Sequence, residues 1–408
     1  MHENKPIVIP VQGAAGHGGN GAWYHDGHGG VQRERVIRSA IVKVLNTLLD
    51  TEAHRLSIDH KSDQGAVHSE FRSAPHERKL FAVVGNNTGT VSIGGSGSFG
   101  MAVVERFWDR EISVEEALIE MGIADGLGQS IEEITGAAWG ARISRAQVSS
   151  FVEKAEANID AWCHRSIKGE YPYVYLDSVA LSSVAAKGEQ DASLLAAIGV
   201  NREGHRDILG VQVHNHADET SWTRFLKHMR RCGLKGVRLV VCGATVGLAN
   251  GLRECFPQAR WQVCTTAFCR QVAGHVSGTR ARELSGLVRA IYNAPSLEDA
   301  QGRARNVSSQ LRGEEFDAAA NLVEDGVFDT LSYYAFPKSH WRQIRSASPI
   351  ERMLDEIDRR YKAVGMLPDV NAAFLLAAAR MRRVSGTQWS SKRYLDMQRF
   401  EETEIAPV

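Results

Sequence analysis

The chain has 408 residues, of which 43% are hydrophobic and 24% charged, a composition typical of a globular protein with a sizeable core. Its 48 Lys and Arg residues balance its 48 Asp and Glu residues, which argues against a uniformly basic surface but allows a local basic groove. No apolar run reaches the roughly 18–20 residues of a membrane helix, and the N-terminus has no signal-peptide pattern. We therefore expect a cytoplasmic protein with no membrane partner.

The first hundred residues carry few regular patterns. Residues 1–30 are rich in Gly and His. We interpret them as a flexible tail, although His17, His25 and His28 could bind a metal loosely. Residues 31–104 are poorly defined by pattern.

Residues 105–165 are predicted to form a compact unit of short helices. Ser113 and Glu116 have the spacing of a capping box, Ser130 repeats the signal, and a third helix is expected after Ser144. Short helices joined by tight turns resemble a DNA-binding helix-turn-helix. A plain three-helix packing unit explains the same pattern equally well.

Residues 166–269 change to a pattern of strands. Asp177 lies in the apolar run YPYVYLDSVAL, and two further apolar runs are joined by the hairpin turn NREGHRD. A helix, the buried strand GVRLVVC, a second helix and the strand RWQVC follow. This order, with an acid on the first strand, is the pattern of an RNase H-like domain. We predict an α/β fold with a mixed five-stranded sheet flanked by helices.

The remainder of the chain is predicted to be mostly helical. Residues 270–340 form an all-α insertion, and residues 341–408 complete the core and end in a basic tail. This last part contains an amphipathic helix with Glu351 near its start. Asp355 and Asp358 share a face of that helix with Glu351.

The six cysteines have no repeated Cys-x-x-Cys pair, so we expect reduced thiols. Cys255, Cys264 and Cys269 could form part of a metal site, or they could be small buried side chains. The imidazole that usually completes such a site is missing, which favours buried thiols.

A two-metal phosphoryl-transfer site in an RNase H-like sheet takes its carboxylates from three positions. The two ions lie about 3.5–4 Å apart and clamp the attacking and leaving oxygens. Asp177 on the first strand fits the first position, and Glu351 on the late helix fits the third. The second falls at Gly243, which has no side chain. From the residues alone, Asp177 could instead be a solvent-facing strand residue, and Glu351 a helix-start acid stabilised by the helix dipole.

From about residue 105 to residue 398 the chain resembles the Mutator-like transposase family of bacterial insertion sequences. The matching stretches, in order, are SVEEALIEMGIA, EYPYVYLDSVAL, AAIGVNREGHRDILGV, GLKGVRLVV, LSYYAFPKSHWRQIRS, PIERM and GTQWSSKRYL. The resemblance implies a DDE transposase with an RNase H-like core, a helical insertion and an N-terminal DNA-binding region. Such a nucleoid-associated homodimer would bind terminal inverted repeats and target DNA, and would cleave and join strands with Mg²⁺ or Mn²⁺.

The resemblance assigns Asp177 to the family's first catalytic aspartate and Glu351 to its glutamate, both as metal ligands. The family's second aspartate corresponds to Gly243, and its Cys-x-x-His pair is reduced to Cys264, with Ala267 at the histidine position. We therefore expect a transposase-family protein whose catalysis is impaired.

Two other functions stay open. An active transposase would need a substitute for the second acid, for which Asp191, Asp207 and Asp218 are candidates in the same sheet region. A non-catalytic DNA-binding or interaction protein would need none. The residues expected to contact DNA are basic side chains on helices, loops and the C-terminal tail: Arg230, Arg231, Lys235, Arg352, Arg359, Arg360, Arg382, Arg383, Lys392 and Arg393.

Overall fold

The computed structural model describes residues 38–50, 103–104, 106–107, 112–181, 192–243, 248–276, 279–364 and 367–401. The predictions for the tail over residues 1–30, with His17, His25 and His28, and for Asp191 lie outside the described residues. None of the helices within these ranges is long and apolar enough to cross a membrane.

Three helices precede the sheet: α1 (Val114–Gly126), α2 (Ile131–Trp139) and α3 (Arg145–Cys163). Ser113 begins α1 with the predicted capping box. Its hydroxyl accepts from the backbone N–H of Glu116, and the backbone N–H of Ser113 donates to the Glu116 carboxylate. The three helices that the capping signals predicted are confirmed. The side chains of Ile41 and Leu45, from a helical segment over residues 38–50, belong to the same core as α1 and α3.

Five strands form a mixed sheet in the described part of the chain, in the order β3-β2-β1-β4-β5. They are β1 (Tyr173–Leu181), β2 (Ala192–Val200), β3 (Arg206–His214), β4 (Leu239–Cys242) and β5 (Arg260–Val263). The first three strands are an antiparallel meander, whereas β4 and β5 run parallel to β1. Helices α4 (Glu219–Arg231) and α5 (Leu248–Cys255) make the connections to the parallel strands. The predicted α/β class is confirmed, and the sheet is compatible with an RNase H-like core.

The two faces of the sheet are covered by different helices. Because successive strand residues point to opposite faces, Val174 and Leu176 pack on one side with Trp222 of α4. Tyr173 and Tyr175 point to the other side, into the larger core that contains the late helices. By this alternation, Asp177 belongs to the second face.

The chain after β5 is helical, as predicted for the insertion. Pro295 separates α7 from α8, and two of these helices end at Gly313 and Gly326. The elements are α6 (Thr265–Ala273), α7 (Thr279–Ile291), α8 (Leu297–Gly313), α9 (Asp317–Gly326), two 3₁₀ turns (Phe328–Thr330 and Ser332–Ala335), α10 (Trp341–Ile344), α11 (Ser348–Val364), α12 (Val370–Ser385), α13 (Gln388–Ser391) and α14 (Gln398–Glu401).

Helix α11 positions the third acid over the sheet. Its apolar stripe is buried, as the helical spacing predicted, and includes Ile350, Leu354 and Ile357. This stripe packs α11 against β1, β2 and α12. The packing fixes the start of α11, which carries Glu351, near the end of β1.

Candidate catalytic site

Asp177 lies where β1 leaves the apolar interior. The four preceding strand residues are buried and Asp177 is partly exposed, with Oδ1 accepting from the N–H of Ser178 at 2.8 Å. The pKa of Asp177 is raised to about 6, chiefly by burial and also by the negative charges of Glu351 and Asp355. The hydrogen bond from Ser178 and the charge of Arg270 oppose this rise. The carboxylate of Asp177 thus lies at the boundary of the buried interior and is partly desolvated.

Glu351 stands in the first turn of α11, with its side chain 21% exposed. The thiol of Cys264 donates to its Oε1 at 3.3 Å, and Nη2 of Arg270 lies 3.8 Å from the same oxygen. Cys264 immediately follows β5, and Arg270 lies on α6. The end of the sheet thus orients Glu351 toward the region of Asp177.

Gly243 occupies the position beside Asp177. In the parallel pairing of β1 with β4, Leu176 is opposite Cys242, so the next step of the register sets Gly243 beside Asp177. Gly243 is buried, and burial together with the negative charge of Asp177 raises the pKa of the Cys242 thiol. An acid at position 243 would lie next to Asp177.

The two described candidates for a substitute acid lie elsewhere. Asp207 is on β3, which β2 and β1 separate from β4, and it accepts a hydrogen bond from the Tyr171 hydroxyl at 2.8 Å. Asp218 caps α4 by accepting from the N–H of Ser221. Neither carboxylate is therefore placed at the tip of β4.

The donor set does not fit a two-ion site. Among the residues that the structure describes, no group of three or more His, Cys, Asp or Glu side chains is placed to hold a metal ion. Two-ion chemistry needs several hard oxygen ligands, and the described site offers the carboxylates of Asp177 and Glu351 beside a thiol. Cys255, Cys264 and Cys269 are free and buried, which confirms the interpretation as buried thiols.

Sequence reasoning missed two residues of this site. It did not single out Arg270, and it treated Asp355 only as a neighbour of Glu351 on the helix. Both act on the pKa of Asp177. Asp355 follows Glu351 by one helical turn, a spacing that could have suggested it. Arg270 has no comparable signal, because only the fold brings α6 to the start of α11.

Most of the basic residues expected to contact DNA are on the surface. They are Arg230, Arg231, Lys235, Arg352, Arg359, Lys392 and Arg393. The Nε of Arg393 donates to the backbone oxygen of Glu203 at 3.2 Å. These side chains remain candidates for contact with a phosphate backbone.

Three other expected DNA contacts pair with buried carboxylates, and one of them is a correction. Arg382 is 2% exposed and pairs with Glu115, which is also buried. Arg360 and Arg383 both pair with the buried carboxylate of Glu116. A guanidinium that must balance a buried carboxylate is held in place by it. These arginines join α1 to α11 and α12, and this burial removes Arg382 from the candidate DNA contacts.

A mixed sheet in this order, with an acid on its central strand and another on the covering helix, is compatible with the class of RNase H-like cores. The family described as "Transposase, Mutator family" matches residues 25–390. The chain belongs to this family, and the resemblance seen in the sequence is confirmed. The match also begins earlier than residue 105, where the sequence motifs began.

The relatives that match are transposases of insertion sequences. The chain is 24% identical over 368 residues to the transposase for insertion sequence element ISRM5 of Rhizobium meliloti, covering 90% of this chain and 92% of the relative. It is 24% identical over 367 residues to the transposase for IS256 in transposon Tn4001 of Staphylococcus aureus, covering 89% and 94%. It is 30% identical over 258 residues to the transposase for IS1081 of Mycobacterium tuberculosis, covering 63% and 62%.

Proposed function

We propose that this protein acts in the transposition of an insertion sequence as a transposase that binds DNA ends but is impaired in cutting them. The family and its transposase relatives support the role in transposition. The observation that carries the impairment is the register of β1 with β4, which sets the side-chain-free Gly243 beside Asp177. Two acids then remain where the family chemistry uses three.

The missing carboxylate would weaken the compensation of negative charge in the transition state. Phosphoryl transfer by two ions requires ligands that hold both ions while negative charge develops on the attacking and leaving oxygens. Mg²⁺ or Mn²⁺, the family's metals, would meet only Asp177 and Glu351 here. This donor set does not fit a pair of metal ions.

The DNA would lie against the exposed basic residues rather than the first three helices. Residues 114–163 contain nine Asp and Glu residues and three Lys and Arg residues. Glu115, Glu116 and Glu120 are buried and paired with arginines, but the six acids that remain still outnumber the three bases, so this unit would repel a phosphate backbone. Helix α1 is also largely buried. We therefore propose the packing unit, rather than the helix-turn-helix, for α1–α3. Double-stranded DNA would meet basic residues such as Arg352 and Lys392, and a homodimer would bring two ends together.

A second candidate function retains cleavage. Asp355 lies one turn after Glu351 on α11, and its negative charge contributes to the raised pKa of Asp177. An active enzyme would need Asp355 to move into the position of the missing acid, because Asp177, Glu351 and Asp355 are not placed to hold a metal ion together. The two candidates differ in their expected cleavage. The second requires that the wild type cut DNA and that Asp355→Asn abolish this cutting.

The test uses the full-length protein and linear DNA fragments that carry the sequences flanking its gene. We expect the wild type to bind these fragments and to leave them uncut in Mg²⁺ or Mn²⁺. Cutting by the wild type that is absent in Asp177→Ala would overturn the impairment. If Asp355→Asn also abolishes this cutting, the second candidate is established. Absence of binding at low salt would overturn the DNA-binding role and favour an interaction protein.

A further inference from the structure

A cavity of about 270 Å³ adjoins the candidate catalytic site, between the start of α6, the end of α7 and the segment that leads into α11. Three arginines contribute to its wall: Arg289, Arg342 and Arg345. The rest of the wall consists of uncharged residues: Thr265, Thr266, Cys269, Tyr292, Asn293 and Ser346. The cavity is thus lined by several cations and by no acid.

None of the three guanidiniums forms an ion pair with a carboxylate in the described part of the chain. Arginines of the insertion that carries Arg289 behave differently, since Arg280 pairs with Glu314 and Arg312 pairs with Glu324. Like charges that share a cavity repel one another, and an anionic ligand would relieve this repulsion. The charge pattern of the cavity therefore points to an anion.

Arg345 is held in the cavity wall by hydrogen bonds of its side chain and its backbone. Its Nη1 donates to the backbone oxygen of Tyr292 at 2.9 Å, and its own backbone oxygen accepts from the N–H of Thr265 at 3.0 Å. Arg345 is half-buried, and its remaining guanidinium N–H groups have no acceptor among the described residues. Thr265 and Thr266 also begin α6, which adds the partial positive charge of a helix N-terminus.

The cavity shares its wall with the candidate catalytic site. Cys264 contacts Glu351, and Thr265, the next residue along the chain, lines the cavity. Arg352, which directly follows Glu351, is exposed. A polyanion bound in the cavity could continue across the catalytic site.

We propose that this cavity binds one backbone phosphate of a DNA strand that passes Glu351, an inference that rests on the proposed DNA-binding function. The planar fork of Arg345 suits a phosphodiester, and threonine hydroxyls supply further donors. The volume is slightly below the roughly 300–1,000 Å³ of sites for whole small molecules, which suits one group of a longer ligand. The contact would fix the position of the strand without reading its sequence.

The experiment measures the binding of full-length protein to a duplex of the gene's flanking sequence over a range of salt concentrations. One neutralised phosphate contributes about −0.9 to the slope of log affinity against log salt. Arg345→Gln should reduce the slope by about one and weaken low-salt binding by about tenfold or more. Arg345→Lys should keep the slope, because it keeps the charge.

The triple variant Arg289→Gln/Arg342→Gln/Arg345→Gln separates a single pocket from a diffuse basic surface. If the three arginines hold one phosphate, the triple variant should again lose about one unit of slope, whereas three separate contacts would lose about three. Arg305→Gln is the matched control, because Arg305 is exposed on α8 outside the cavity. Circular dichroism and urea midpoints establish that each variant is folded.

A second arm uses inorganic phosphate as the probe, with thermal stability as the readout. We expect phosphate to stabilise the wild type more than the triple variant. Phosphate stabilisation through the arginines without any change in the DNA slope would assign the cavity to a free anion and overturn the proposal. Unchanged slope and affinity in Arg345→Gln, with wild-type DNA binding intact, would overturn this inference alone. Failure of the wild type to bind DNA would overturn the proposed function with it.

Discussion

The thiol of Cys264 donates to the carboxylate of Glu351 at 3.3 Å, and the backbone N–H of Ala347 donates to the same sulfur at 3.3 Å. One buried side chain therefore ties the end of β5 to the first turn of α11. This link holds the start of α11, and with it Glu351, at the end of the sheet that carries Asp177.

Replacing Cys264 should weaken this link measurably. Cys264→Ala removes the thiol donor to Glu351 and leaves the buried N–H of Ala347 without its acceptor, so we expect a loss of about 1–3 kcal/mol in the free energy of unfolding. The measurement is urea denaturation of the full chain. Cys255→Ala is the control, because Cys255 is also buried but makes no hydrogen bond through its thiol among the described residues. Equal losses in the two variants would contradict a hydrogen-bonding role for Cys264.

Restoring the second acid should create a response to divalent ions. Gly243→Asp places a carboxylate beside Asp177 in a buried position, so without metal we expect the variant to be less stable than the wild type through like-charge repulsion and desolvation. Millimolar Mg²⁺ should raise its thermal midpoint, because the ion neutralises the acids. The wild type should respond less.

Gly243→Asn is the matched control for that experiment. Asparagine has nearly the size of aspartate and lacks its charge, so it tests whether bulk alone accounts for the change. We expect Gly243→Asn to be destabilised with or without Mg²⁺. If Gly243→Asp responds to Mg²⁺ no more than Gly243→Asn does, position 243 does not share a metal site with Asp177.

Local sequence patterns predicted the parts of the fold that depend on neighbouring residues. The capping box of Ser113 and the buried stripe of α11 are examples, because both follow from spacings of three or four residues. The position of Asp177 on the first strand also followed from the apolar run around it. The register of β1 with β4 then sets Gly243 beside Asp177.

Contacts between distant parts of the chain could not be predicted in this way. Arg382 was expected on the surface because arginines are seldom fully buried. Its partner Glu115 lies 267 positions earlier, and the pair becomes apparent only when α12 packs against α1. The contact of Cys264 with Glu351 spans 87 positions and was missed for the same reason.

The charge of Asp177 should make stability depend on pH. Burial raises the pKa of Asp177 in the folded protein from 3.8 to about 6, so the folded state binds the proton more tightly than the unfolded state. The folded protein is most stable with respect to Asp177 below pH 3.8, where its carboxyl is protonated, and this contribution is lost as the pH rises through 6. Asp177→Asn should therefore be more stable than the wild type by about 1–3 kcal/mol above pH 6.

The stability advantage of Asp177→Asn should disappear below about pH 4, where both proteins carry a neutral side chain. Urea denaturation at a series of pH values measures the difference. Asp160→Asn is the control, since its side chain is 73% exposed and its effect should stay within about 0.5 kcal/mol. A constant difference between Asp177→Asn and wild type from pH 4 to pH 8 would show that the Asp177 carboxylate is not desolvated.

Removing one partner of the buried pair of Arg382 with Glu115 should cost more stability than breaking an exposed ion pair such as that of Lys227 with Glu254. Arg382→Met leaves the Glu115 carboxylate buried without its partner, so we expect a loss of about 3–5 kcal/mol in the free energy of unfolding near pH 7. The double variant Arg382→Met/Glu115→Gln removes both charges and should recover most of that loss. Lys227→Met, which breaks the exposed pair with Glu254, should cost less than about 1 kcal/mol.

The effect of Arg382→Met should also depend on pH in a defined direction. Burial holds the pKa of Glu115 above its usual value, and the charge and hydrogen bond of Arg382 oppose this rise. Without Arg382 the pKa of Glu115 rises further, so the folded variant holds its proton to higher pH and loses stability as the pH increases. The destabilisation should therefore be larger at pH 8 than at pH 5 and should lose this dependence in the double variant. A destabilisation that is equal at the two pH values would mean that Arg382 stabilises the helices by packing rather than by balancing the charge of Glu115.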